Sequence, residues 1–273
     1  MVAAAGEGVG PAFAPGAPVA AMVYGGFSEY QVVPAKLLFA VPRPTPQVLA
    51  LLTSGLTASI ALEQAGRMGT GETVLVTAAA GGTGQFAVQL AKAAGNVVVA
   101  TCGGGAKAAT LKTLGVDRVI DHTREDVKAV LRREFPGGVD LVYESVGGCM
   151  FKTCVGALAP RGRLVVIGAV SQYAAGWAPS AHVGLPELLL ARSATCAGFF
   201  LPAYAAHFKR HLARLVAALE AGRLRAVVDA ERFVGLEAVA AAVDRLQSGR
   251  SAGKVCVQIP ADVPPPVPPA ARL

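Results

Sequence analysis

Ala80, Gly81, Gly82, Thr83 and Gly84 follow directly on the apolar run Thr73-Val74-Leu75-Val76-Thr77 and precede the amphipathic stretch Gln85–Lys92. A glycine-rich loop between a strand and a helix can hold a diphosphate. Its small residues let the backbone come close, and the helix start offers unpaired N–H groups and the positive end of its dipole. In this loop Gly81 is the position for close approach to a pyrophosphate, and Gly84 the one where the helix packs on the strand.

The end of the second strand decides which dinucleotide fits. An NAD site places an acid there to hold the ribose hydroxyls. This chain has Thr101-Cys102-Gly103-Gly104-Gly105-Ala106-Lys107, with no acid. Small residues leave room for a 2′-phosphate and Lys107 can neutralise it, so NADPH is the expected cofactor. The competing reading makes Lys107 an ordinary surface lysine on a helix's first turn.

Other chemistry-bearing residues are less telling. None of Tyr24, Tyr30, Tyr143, Tyr173 and Tyr204 has a lysine four residues on, which excludes the short-chain dehydrogenase pair. His207 and His211 have the spacing of two zinc ligands on one helix, but no acid lies between or just after them. A solvated helix face is expected, and no metal. Cys102, Cys149, Cys154, Cys196 and Cys256 form no CxxC pair and read as reduced, mostly buried thiols of an intracellular protein.

The elements that must position these groups repeat in order. Strands are expected at 73–77, 96–101, 117–121, 139–144 and 163–168, and helices at 85–92, 106–114, 124–135 and 149–158. Continuous Val/Ile/Leu strands alternating with helices specify an α/β fold, a doubly wound parallel sheet of the Rossmann kind. Upstream, 26–33 alternates like a strand and 47–64 has helical spacing. Beyond Gly168 the pattern predicts an irregular stretch, a strand over 194–199, a helix over 205–221, a helix over 236–246 and a strand over 254–259. A Pro-rich tail follows.

Composition sets bounds. The 273 residues are 53% hydrophobic and 16% charged, which fits a folded chain rather than a disordered one. The richest apolar stretch, 48–62, is too short and too interrupted to read as a membrane span, and the N-terminus has no signal-peptide pattern. The net charge of +7 favours an anionic ligand. Its densest cluster, Arg210, Arg214, Arg223 and Arg225, reads as a solvated face, and no nucleic-acid partner is expected.

Residues 74–86, Tyr143-Glu144-Ser145-Val146-Gly147-Gly148, Gly162-Arg163-Leu164-Val165-Val166-Ile167-Gly168 and Gly198-Phe199-Phe200-Leu201 together resemble the zinc-independent quinone-oxidoreductase branch of the medium-chain dehydrogenase/reductases. The resemblance spans about residues 7–260. It implies that Thr83 meets the pyrophosphate region, with Gly103 and Lys107 around the 2′-phosphate and His122 near the adenine, where relatives have tyrosine. It further implies that Ser145 and Ile167 line the cofactor cleft, and that Tyr173, Phe199, Phe200 and Leu201 border nicotinamide and substrate. Ser251 falls where relatives have asparagine.

The implied activity is NADPH-dependent reduction of the carbon–carbon double bond of α,β-unsaturated ketones, of the 15-oxoprostaglandin 13-reductase type, with a lipid-derived enone as substrate. Tyr204, with Tyr173 second, is the candidate proton donor or enolate stabiliser; a tyrosine capping the next helix is the other reading of Tyr204. NADPH:quinone reduction and a catalytically idle NADPH-binding role, structural or RNA-binding, stay open beside it, as does a homodimer.

The same resemblance divides the chain into a remnant of a GroES-like β domain (1–45), the NADP-binding domain (46–230), a return to the first domain (231–261) and the tail (262–273). A chain that starts near the middle of the GroES-like domain is expected to be a fragment. Ala271-Arg272-Leu273 resembles the tripeptide read by the peroxisomal import receptor.

Overall fold

The computed structural model describes residues 1–176 and 181–260. The Pro-rich tail and Ala271-Arg272-Leu273 lie outside the described residues.

The expected alternation produces a six-stranded parallel sheet. Its strands are β3 (Thr73–Val76), β4 (Val97–Cys102), β5 (Arg118–Asp121), β6 (Val139–Glu144), β7 (Leu158–Val166) and β8 (Thr195–Gly198). They lie side by side in the order β5-β4-β3-β6-β7-β8. The winding reverses between β3 and β6. A crevice must open above the carboxyl ends of that pair, where successive loops turn to opposite faces.

Both faces of the sheet are covered, which is why its strands read as unbroken apolar runs. One face carries α3 (Gly84–Ala93), α4 (Gly105–Thr113), α8 (Phe208–Glu220) and a long helical run, Pro46–Ala65. The other carries α5 (Val127–Glu134), α6 (Gly148–Gly156) and α7 (Leu185–Arg192). Caps trim these helices relative to the sequence pattern. Asp126 accepts the Ala129 amide at 2.7 Å and starts α5 three residues later than periodicity suggests.

The run Pro46–Ala65 is capped by Thr45 and alternates α-turns, α1 (Pro46–Ala50) and α2 (Leu56–Ile60), with π-turns at Leu51–Gly55 and Ala61–Ala65. At 20 residues it is longer than the sequence reading allowed, and apolar enough to cross a membrane. Leu51, Leu56 and Ile60 are nevertheless completely buried against α3 and α8, so it serves as the core helix of this face.

Three other expectations need correction. Residues 26–33 form no strand: the two-stranded ribbon near the N-terminus is β1 (Val19–Ala21) with β2 (Leu38–Ala40). Alternation alone cannot hold a strand without a neighbour to pair with, and Phe27 and Val32 are exposed. The stretch after Gly168 is not wholly irregular, since α7 packs Leu185 and Leu189 on the sheet. The last strand shrinks to β10 (Val257–Gln258), which pairs in parallel with β9 (Phe233–Val234); α9 (Val239–Gln247) lies between them in the chain.

Candidate functional site

The glycine-rich loop sits at the β3–α3 turn, beside the reversal point. Ala78 takes a left-handed conformation (φ 46°), turning the chain sharply off the strand. A Cβ on Gly84 would come within 2.6 Å of Ala79 Cα and 2.7 Å of the Ala78 carbonyl, so only glycine lets α3 start this close to β3. A Cβ on Gly82 would sit 3.3 Å from Ser54 Oγ. Among the described residues the amides of Thr83 and Gly84 have no hydrogen-bond partner. They form an anion cradle at the helix start, with no acid in its first turn.

Thr83 does not turn its hydroxyl toward that cradle. Its Oγ1 lies 2.6 Å from the Tyr143 hydroxyl and donates to the Ser54 carbonyl at 3.3 Å, so its share in holding an anion falls to its amide. Tyr143 is fully buried, and desolvation pushes its phenol well above the usual range.

The C-terminal segment braces the loop from outside. Gly253 pairs with Gly81 in a parallel bridge, and Ser251 is buried beside it. Asp229 accepts the Ala252 amide at 2.7 Å and pairs with Arg245 at 3.3 Å. Gln85, nearly inaccessible, exchanges two hydrogen bonds with the backbone of Val227. No sequence motif marked Asp229, Gln85 or Ser54; their signal is a polar side chain that has to be buried near a backbone turn.

At the end of β4 the acid-free turn is held by an acid from the next strand. Asp121 accepts the Gly104 amide at 2.8 Å and the Thr123 amide and hydroxyl at 3.0 and 2.7 Å. These bonds hold its carboxyl below the usual carboxylate range. His122 packs its ring on Gly103, where a Cβ would meet it at 3.0 Å. Lys107, on the first turn of α4, donates to the Gly249 carbonyl, and no described carboxylate lies within ion-pair distance of it. Burial pushes its ammonium pKa down. Its positive charge is available to an anion over Gly103–Gly105. The neighbouring Cys102 thiol, buried and close to Asp121, is pushed up to about 11 and is inert.

Across the crevice, β6 ends in Glu144 and Ser145. Glu144 is completely buried and accepts from the amides of Val146 (2.8 Å) and Gly147 (3.1 Å) and from Thr77 Oγ1 (3.3 Å). Burial pushes its pKa up and these donors pull it back. The Ser145 hydroxyl is buried with no partner among the described residues, an expensive state unless a ligand completes it. Ile167 continues the rim, its amide bonded to the Glu144 carbonyl at 2.7 Å.

The two candidate phenols are placed differently. The Tyr173 hydroxyl stands over Gly168, 2.6 Å from where a Cβ would be, at the same rim as Ser145 and Ile167. Tyr204 stacks on Phe199, with ring centroids 4.7 Å apart, and packs against the core. Phe199 is buried, Leu201 is half-buried on the core, and Phe200 is exposed. Tyr173 thus lies beside Ser145 and Gly168, and Tyr204 beside Phe199.

The histidines also differ from expectation. His211 is not on a solvated face: it is completely buried, with Nδ1 2.7 Å from Ser59 Oγ and Nε2 3.1 Å from the Arg210 guanidinium. The reason is the helical run Pro46–Ala65, whose Ser59 and Glu63 lie against α8. Arg210 and Arg214 are exposed as expected, and both pair with Glu63.

A family model described as "Zinc-binding dehydrogenase" matches residues 82–218. The chain is 48% identical over 270 residues to "Prostaglandin reductase-3" of Bos taurus, covering 96% of this chain and 72% of that protein. It is 31% identical over 241 residues to "2-alkenal reductase (NADP(+)-dependent)" of Nicotiana tabacum, covering 86% of this chain and 69% of that one. Among solved structures it resembles CurA of Vibrio vulnificus in complex with NADPH, with a TM-score of 0.73 and 27% identity over 82% of this chain and 68% of CurA.

Proposed function

Because the chain belongs to the zinc-binding dehydrogenase family of the medium-chain dehydrogenase/reductases, we propose that it binds NADPH and reduces the carbon–carbon double bond of α,β-unsaturated carbonyl compounds. One observation carries the cofactor reading: two partnerless amides at the start of α3, together with Lys107, which has no carboxylate partner among the described residues. The names of the relatives, a prostaglandin reductase and an NADP-dependent alkenal reductase, support the reaction.

The residues present fit this cofactor. The amides of Thr83 and Gly84 would hold the pyrophosphate, Lys107 the 2′-phosphate, and Gly103 and His122 the adenosine end. The Ser145 hydroxyl, buried without a partner, supplies a polar contact at the nicotinamide end. When bound, NADPH supplies the hydride. The chain's own task is to hold the enone and stabilise charge on its carbonyl oxygen, and the Tyr173 phenol is the donor at that rim.

Zinc does not fit, despite the family's description. No three His, Cys, Asp or Glu side chains converge among the described residues, and His211 is committed to Ser59 and Arg210.

The test is a purified chain titrated with NADPH and NADH by fluorescence, then assayed for NADPH oxidation with an enone, an enal and a quinone. Selective NADPH binding with enone or enal turnover is expected. Turnover of the quinone alone, or firm binding without turnover of any acceptor, would refute the reaction.

A further inference from the structure

The loop after β6 is held by side chains from two strands. Thr77 Oγ1, at the end of β3, accepts the Ser145 amide at 2.8 Å, while Glu144 accepts the amides of Val146 and Gly147. Thr77 also donates to Glu144, so three consecutive amides are anchored by one coupled pair. The loop's carbonyls face the other way. Ser145 O accepts the Val170 amide at 3.0 Å, and Val146 O accepts the Ser171 amide at 3.0 Å and its hydroxyl at 2.6 Å. Ser171 and Gln172 lead directly to Tyr173, whose hydroxyl stands over Gly168.

A plain strand end would not need a fully buried carboxylate. No cation pairs with Glu144 among the described residues, and its desolvation is costly. A buried acid kept without a countercharge is repaid by what its donors hold in place. Here that is both walls of the crevice: the buried hydroxyl of Ser145 and, through the 170–172 segment, Tyr173.

We propose that Glu144, braced by Thr77, is a positioning residue that holds the 145–147 turn and thereby places Ser145 and Tyr173 at the cofactor crevice. The significance of the crevice rests on the NADPH reading above; the positioning itself does not. Thr77→Val keeps the shape and removes the hydroxyl, whereas Thr77→Ser keeps the hydroxyl. Glu144→Leu removes both acceptor oxygens that hold the amides of Val146 and Gly147.

Hydrogen exchange on the ligand-free chain tests the positioning without any cofactor. In Thr77→Val and Glu144→Leu, amides of 145–147 and 170–173 should exchange about tenfold faster or more, the scale of a lost buried hydrogen bond. Those of β4 and α3 should be unchanged, and Thr77→Ser should match the parent. Unchanged exchange at 145–147 and 170–173 in folded variants, or a uniform rise across the sheet, overturns the proposal. The second readout is NADPH affinity well below the melting temperature. If the parent binds, Thr77→Val and Glu144→Leu should weaken binding about tenfold and Thr77→Ser less than about twofold. Equal affinity in all four proteins overturns the link to the crevice. A parent that does not bind refutes the NADPH reading, and the exchange result still decides the positioning.

Discussion

The amide of Gly253 donates to the carbonyl of Ala80 at 2.8 Å, joining the C-terminal segment to the glycine-rich loop just ahead of the anion cradle. Gly253 adopts φ 80°, and a Cβ there would come within 2.3 Å of the Val227 carbonyl. Gly253→Ala should displace this brace. NADPH affinity is expected to fall about tenfold, with a loss of roughly 1–3 kcal/mol in stability. Fluorescence titration and urea unfolding measure the two effects.

Lys107 is the charge over the acid-free turn. Lys107→Ala should weaken NADPH about tenfold or more, since a charge-assisted contact to phosphate is lost. NADH, lacking that phosphate, should change less than about twofold. Parallel titrations with the two cofactors decide it, and equal losses would move the 2′-phosphate site elsewhere.

Tyr173 and Tyr204 can be separated by removing one oxygen from each. Tyr173→Phe should lower kcat for enone reduction about tenfold or more, with a smaller change in KM. Tyr204→Phe keeps the ring stacked on Phe199 and should stay within about threefold of the parent. The opposite ranking would return the donor role to Tyr204.

His211 makes stability pH-dependent. Arg210 can only donate, so Nε2 accepts and the neutral ring donates from Nδ1 to Ser59. Burial lowers its pKa from 6.5, with Arg210, Arg214 and His207 acting in the same direction and Glu63 opposing. Below about 6.5 the unfolded chain therefore takes up a proton that the folded chain resists, and stability falls as pH falls. His211→Asn should flatten that slope while costing roughly 1–2 kcal/mol at neutral pH. Thermal melts between pH 5 and 8 on the assay's own scale, at roughly unit intervals around the histidine range, show the difference.

Local order alone settled the doubly wound sheet, the glycine-rich loop and the turn that favours NADPH. Each of these is written in contiguous residues: an apolar strand, a glycine where α3 must start, and a turn free of acids with a lysine on its helix. Residues 26–33 show the limit of that reading, because alternation cannot provide a pairing neighbour. The tertiary structure decided what depends on distant partners. It turned the Thr83 hydroxyl to Tyr143, buried His211 against Ser59, and set the Tyr173 hydroxyl over Gly168. It also brought Thr77 to Glu144 and Gly253 to Ala80. These pairs are far apart in the chain, and only the packing of β3 beside β6, and of the C-terminal segment on the loop, satisfies their buried polar groups.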